Sequence, residues 1–354
     1  MAGEYWVGWF DVWGEPHHTQ VLEKVRADLR WMLDRGYSFN LYMVHGGTTL
    51  GWMGGARMED GNYMPDVNTY DYDAPLNERG DITPKYRAIR DLLSRATGET
   101  FPQPPPPTTA MTLPEFTLNG GSVSLWSSLP PPVQSAKLMT MEDFDQGAGY
   151  VLYRKTLHAP LSGILAMEDV HDYAKVYLDG TLVGTLDRRL KQSRLHLEYH
   201  AGGQVRLDIL VADMGRTNYA ETMLTDRKGI TKSVTWNGTE LTDWSIYPLG
   251  MQHLDRLKFA AAPCWGPCFY RGDIRVIEPT DTFLDTSDWG KGEVWVNRRL
   301  LGRFWTEEGP QQTLFVPGPW LKKGTNLIQV FDINGRPDAK LRGWTAPRFQ
   351  DKAH

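Results

Sequence analysis

The segment Phe101-Pro102-Gln103-Pro104-Pro105-Pro106-Pro107-Thr108-Thr109 constrains this chain more than any other. A proline run cannot join a hydrogen-bond ladder and favours a stiff, extended path, so no single sheet or helix layer can continue through it. The sequence changes character on either side. Upstream, residues 18–35 place Val21, Leu22, Val25, Leu29, Met32 and Leu33 at helical spacing, with Gly36 as the stop. Residues 39–44 read as a strand, and a long loop then leads to a second helix from Pro84, with Tyr86, Ile89 and Leu93 on one face. Strand, helix, strand, helix is the unit of a parallel α/β fold, whose functional residues sit in the loops after strand ends. A (β/α)8 barrel needs roughly 250 residues, so two such units cannot close one.

Downstream, alternating segments such as 150–157, 174–178 and 207–211 are separated by Gly, Asp and Pro turns and read as strands. An internal echo is present: Val176-Tyr177-Leu178-Asp179-Gly180 with Gly184 repeats at an offset of 118 residues as Val294-Trp295-Val296-Asn297-Arg298 with Gly302. Each copy reads as a hairpin followed by a further strand, so two related β-sandwiches are expected rather than one large sheet. Arg298 stands where the turn favours Gly, which predicts a different turn geometry in the second copy. The expected division is residues 1–97 as an α/β unit, 98–112 as linker, 113–230 as the first sandwich and 231–354 as the second.

Composition narrows the function. The formal charge of -5, without a dense Lys/Arg stripe, argues against a nucleic-acid partner. No apolar run approaches the roughly 20 residues of a membrane span. The start of the chain shows no basic region followed by an apolar core, and the compartment stays open. Cys264 and Cys268 are too few for a disulfide scaffold or a zinc site; a local disulfide and two free thiols are equally compatible with their spacing. Asn237-Gly238-Thr239 fits a glycosylation sequon, relevant only in a secretory pathway.

The chemistry concentrates in the first 75 residues, which are dense in aromatic rings. Glu4 lies in Gly3-Glu4-Tyr5-Trp6-Val7-Gly8-Trp9-Phe10-Asp11-Val12-Trp13-Gly14, a carboxylate at a strand end with flat rings around it. Such rings stack on pyranose C–H faces, and a nucleophilic carboxylate needs walls that fix the sugar and exclude water. His45-Gly46-Gly47-Thr48, Trp52 and Thr69-Tyr70-Asp71-Tyr72-Asp73 form a second element, in which Gly permits close backbone approach and Tyr hydroxyls can bond sugar or carboxylate. Asp71 and Asp73 read as turn caps, with a calcium site as the weaker alternative. His17 and His18 read as surface residues before a helix.

Together these segments resemble the family 35 glycoside hydrolases, the retaining β-galactosidases. The likeness runs from Gly3-Glu4-Tyr5 and Trp9–Gly14 through Val44–Thr48, Tyr70–Leu76 and Pro84-Lys85-Tyr86. It continues with Gly149–Arg154, Leu186–Arg189, Asp226–Gly229, Trp289–Gly292, Gly302–Trp305 and Gly309–Leu314. The resemblance implies that residues 1–97 are the last two units of an incomplete (β/α)8 TIM barrel, followed by two β-sandwich domains of jelly-roll, galactose-binding-like type. It implies that Glu4 is the nucleophile at the end of the seventh barrel strand, that Trp9 and Tyr72 line the galactose subsite, and that Trp52 is a further substrate contact. The family's acid/base Glu, in an Asn-Glu pair on an earlier strand, has no counterpart here. The expected partner is a β-galactoside oligosaccharide or glycoconjugate, with no metal or organic cofactor, and with a missing N-terminal barrel segment supplied in the same chain or in trans. The competing reading is a non-catalytic carbohydrate-binding or structural sandwich protein.

Overall fold

The computed structural model describes residues 1–350; the last four positions of the expected 231–354 domain lie outside the described residues. Strand β1 (Ala2–Tyr5) pairs in parallel with β2 (Phe39–Leu41), joined by helix α1 (Leu22–Leu33), and a long loop carries a small hairpin, β3 (Ala56–Glu59) and β4 (Asn62–Pro65), before helix α2 (Pro84–Thr97). Each helix forms where its apolar spacing allows burial. Val25 and Leu29 of α1 pack with Val7 and with Ile89 of α2 in a small core of their own. Helix α2 starts on Thr83, whose hydroxyl caps the Tyr86 amide, has Pro84 in its first turn, and ends at Gly98 in the left-handed region. Strand β2 is shorter than the 39–44 expected and partly exposed, because its outer edge pairs with no strand among the described residues.

Beyond the proline segment the molecule is antiparallel β. An eight-stranded sheet spans residues 133–249, built on a long ladder between Tyr150–Met167 and Arg194–Ala212 with a register shift between Tyr199 and Gly203. A five-stranded and a four-stranded sheet then sandwich a core that includes Trp289, Phe304, Leu314 and Val330. Strand pairing divides these units differently from the expected 113–230 and 231–354. Leu113–Thr117 pairs with Lys340–Trp344 and Ser122–Ser124 with Cys268–Val276, while Val234–Trp236 and Trp244–Leu249 pair with Tyr150–Met167. Sheet membership is a long-range choice that local alternation does not encode, which is why the boundary misplaced these strands.

The echo is visible as two hairpins, 173–187 and 291–305, each with a register shift at the equivalent step, Val176/Tyr177 and Val294/Trp295. Both turns place two successive residues at positive φ: Asp179 and Gly180 at 48° and 86°, Asn297 and Arg298 at 49° and 69°. Arg298 therefore adopts the conformation of the Gly it replaces, contrary to the expected difference in turn geometry. Cys264 and Cys268 are joined in a disulfide.

Units before and after the proline segment are knitted together. Ala56 exchanges backbone hydrogen bonds with Arg216 and Asn218 at 2.8 and 2.9 Å. Lys228, fully buried, meets Asp172 at 2.8 Å, Asp226 at 3.1 Å and the Gly215 carbonyl at 2.7 Å, while the Tyr63 hydroxyl donates to that same carbonyl. The Asn68 side chain bonds the backbone of Arg303 and its backbone amide donates to Gln311 Oε1 at 2.9 Å, while Arg189 donates to the Trp13 carbonyl at 2.8 Å. Several of the sequence segments that carry the resemblance are thus the ones at the junctions.

Candidate active site

Parallel pairing sets the C-terminal ends of β1 and β2 side by side, with the Tyr42 amide donating to the Tyr5 carbonyl at 3.0 Å. Immediately after β1 the chain dives inward at Val7, which is fully buried, and its carbonyl accepts from Lys85 Nζ. Lys85, at the start of α2, simultaneously pairs with Asp73, whose Oδ2 also accepts the Gln20 amide at 2.6 Å. Gly8 lies so close to the Asp71 carboxylate that any Cβ there would collide with it, and a Cβ on Gly46 would strike the Asp71 carbonyl. Both glycines are therefore required by close approach. Asp71 is wedged between the loops that follow the two strands, accepts the Asp73 amide at 2.8 Å, and burial pushes its carboxyl up to about 6. Asp11 is buried too, accepting His17 Nδ1 and the His18 amide, each at 2.7 Å. This places His17 as a partner of Asp11 rather than as a bare surface residue.

On this foundation stands an aromatic row. Trp6 packs on Trp9 at 4.6 Å, Trp9 on Phe10 at 5.2 Å, Phe10 edge-on against Tyr70 at 4.5 Å, and Tyr42 approaches Tyr70 at 6.2 Å. The Glu4 carboxylate is exposed at one end of the row and accepts from Trp6 Nε1 at 3.0 Å. The Arg57 guanidinium covers Trp9 and Phe10 at 5.4 and 5.3 Å from the ring centres. Desolvation and the hydroxyl of Tyr42 push the Tyr70 phenol up from its ordinary value, so it is a neutral hydrogen-bonding group. An accessible carboxylate fixed by an indole N–H, beside flat rings, can hold a neutral polyol face-on and present an oxygen nucleophile to it.

Glu4 and Trp9 are brought together through Trp6. Tyr72 and Trp52 make their contacts elsewhere. The Tyr72 ring packs against Phe349 at 4.5 Å and His17 at 5.9 Å, and burial with Glu78 nearby pushes its phenol well above the ordinary value. Trp52 packs with residues of both sandwiches and lies under the Arg303 guanidinium at 5.8 Å. Sequence reasoning did not assign Tyr42, Tyr70 or Arg57. Periodicity offered no signal to separate Tyr70 from Tyr72, because residues two apart on an extended chain share a face; the different packing of their loop sends Tyr70 to Phe10 and Tyr72 to Phe349. Among the described residues no cluster of three or more His, Cys, Asp or Glu side chains could hold a metal ion, and Asp73 is engaged by Lys85. No helix among them is long and apolar enough to cross a membrane.

Comparison with known proteins adds an independent line. Residues 1–96 match the family described as glycosyl hydrolases family 35. Residues 138–250 match the beta-galactosidase first all-beta domain, and 267–326 the beta-galactosidase galactose-binding domain. The chain is 42% identical to a beta-galactosidase of Xanthomonas manihotis, over 89% of this chain and 53% of that protein. It is 38% identical to beta-galactosidase-1-like protein 2 of Homo sapiens, over 94% of this chain and 54% of that protein. With the beta-galactosidase of Homo sapiens it shares 36% identity, over 95% and 53%. The chain spans about half the length of these curated relatives.

Proposed function

Because this chain belongs to family 35 of the glycosyl hydrolases, we propose that it carries the nucleophile half of a retaining exo-β-galactosidase, acting on terminal non-reducing β-D-galactosyl residues of an oligosaccharide or glycoconjugate. The observation that carries this reading is the exposed Glu4 carboxylate held by Trp6 at the end of β1, next to the row that begins with Trp9. Glu4 attacks the anomeric carbon, the aglycone leaves, and water then resolves the galactosyl-enzyme with net retention. Trp9 is the stacking wall, with Tyr42 and Tyr70 as hydroxyl contacts. Tyr72 and Trp52 serve by bracing the loops rather than by touching the sugar.

In this reading β1-α1-β2-α2 are the last two units of a (β/α)8 barrel. Both outer edges of the β1–β2 pair carry no strand among the described residues, and Trp31, Tyr37, Tyr42 and Val44 of the same unit expose large apolar surface. A retaining mechanism also needs an acid/base carboxylate about 5 to 5.5 Å from the nucleophile. We assign it to polypeptide corresponding to the other half of the relatives' length, in the same chain or supplied in trans. The test is turnover of p-nitrophenyl β-D-galactoside by residues 1–354 with and without that polypeptide. Turnover should rise by at least about 10² to 10⁴-fold when it is present, the usual contribution of general acid/base catalysis. Equal rates in both samples would overturn the assignment.

A further inference from the structure

A cleft opens beside the aromatic row, with a volume of about 130 Å³. Phe10 and Tyr70 line both the row and this cleft, so the two are continuous. Its polar lining comes from Thr49, Thr69, Asp66 and, from the first sandwich, Asn218. Thr49 turns its hydroxyl proton away to the Asn68 carbonyl, leaving oxygen lone pairs for a donor, while Thr69 is engaged by Glu78 and Tyr72. Asp66 is more than nine-tenths buried, yet only its Oδ2 has a hydrogen-bond donor, the Asn218 amide at 3.3 Å. Its Oδ1 forms an ion pair with Arg57 Nε at 3.7 Å, beyond hydrogen-bond reach, and neither atom has a hydrogen-bond partner among the described residues. A buried carboxylate oxygen without a donor is costly unless a ligand supplies one. A carboxylate, an amide and hydroxyls beside an aromatic wall form the donor and acceptor set that recognises a neutral sugar ring.

We propose that this cleft is the subsite for the sugar on the leaving-group side of the scissile bond, with Asp66 Oδ1 accepting a ring hydroxyl and the Asn218 amide bonding its neighbour. The position of that sugar relative to Glu4 rests on the proposed galactosidase reading. The occupancy of the cleft does not. Asn218 thereby makes the first sandwich a determinant of which aglycone sugar is accepted.

Titration of ¹⁵N-labelled protein of residues 1–354 with lactose tests this. Lactose should move the Asn218 side-chain amide and the Gly55 amide, and Asp66→Asn and Asn218→Ala should each weaken binding about tenfold or more, the scale of a lost hydrogen bond to a charged group. Asn218 is exposed, so Asn218→Ala carries the test should Asp66→Asn fail to fold. Lactose shifts confined to the Trp6 and Trp9 indoles, or unchanged affinity in the variants, would overturn the cleft while leaving Glu4 standing. An Asn218 response without any Trp9 response would support the cleft and count against the Glu4 reading.

Discussion

Glu293 is fully buried where the two sandwiches meet, with the Tyr150 hydroxyl donating to both its oxygens at 2.8 and 3.1 Å. Burial pushes its carboxyl up to about 8, more than the Tyr150 hydrogen bond and the nearby Lys291 can offset. In the unfolded chain a Glu ionises near 4.3. Below that both states hold the proton; between about 4.3 and 8 only the folded state does, so the folded state loses relative stability as pH rises through this window. Glu293→Gln removes the titration while keeping the shape. Wild type should therefore lose about 3 to 5 kcal/mol relative to the variant between pH 5 and pH 8, read as a divergence of guanidinium midpoints. Midpoints that run parallel across this range would show that Glu293 keeps its charge. Nothing in the sequence around Glu293 marked it, because an alternating strand shows which residues face inward but not that an ionisable group there meets another sandwich.

At the scale of elements, the two echo hairpins make an internal comparison. Their turns share a backbone shape, with Gly180 in one and Arg298 in the other at the second central position. An L residue at positive φ costs roughly 1 to 2 kcal/mol, which Gly avoids. Arg298 is exposed and so has no buried contact to compensate. Arg298→Gly should raise the thermal midpoint by a few degrees, equivalent to about 1 kcal/mol, and Gly180→Arg should lower it by a similar amount. No response in either variant would mean the second turn relaxes in solution. The two hairpins and the start of helix α2 were legible because each is encoded within a few residues, Asp-Gly in the first turn and Pro84 at the helix start, whereas the shape of the Asn-Arg turn and the helix caps at Thr83 and Gly98 were not read from the sequence. The assignment of 113–124 to the C-terminal sheets was not, because its partners lie some 150 to 230 residues away and alternation alone does not choose among sheet edges.

For the whole molecule, the long loop between β2 and α2 couples the candidate site to the sandwiches. Its β3–β4 hairpin is anchored on Arg216 and Asn218, and Asn68 is anchored on Arg303 and Gln311. The aromatic row therefore rests on a loop whose far side is held by both β units, which gives those units a physical reason to accompany the α/β unit. The proximity of Glu4 and Trp9 was legible in the sequence because carboxylate and rings lie within one short stretch. Tyr42, Tyr70 and Arg57 reach the row from separate loops, and Tyr72 and Trp52 turn away from it, an outcome that only the packing of those loops decides. The central claim is that Glu4 forms the covalent bond to the sugar. With the polypeptide that completes the barrel present, incubation with 2-deoxy-2-fluoro-β-D-galactosyl fluoride followed by peptide mass mapping should place one fluorogalactosyl group on Glu4 and none in Glu4→Gln. Label on any other carboxylate, or label retained in Glu4→Gln, would contradict the account.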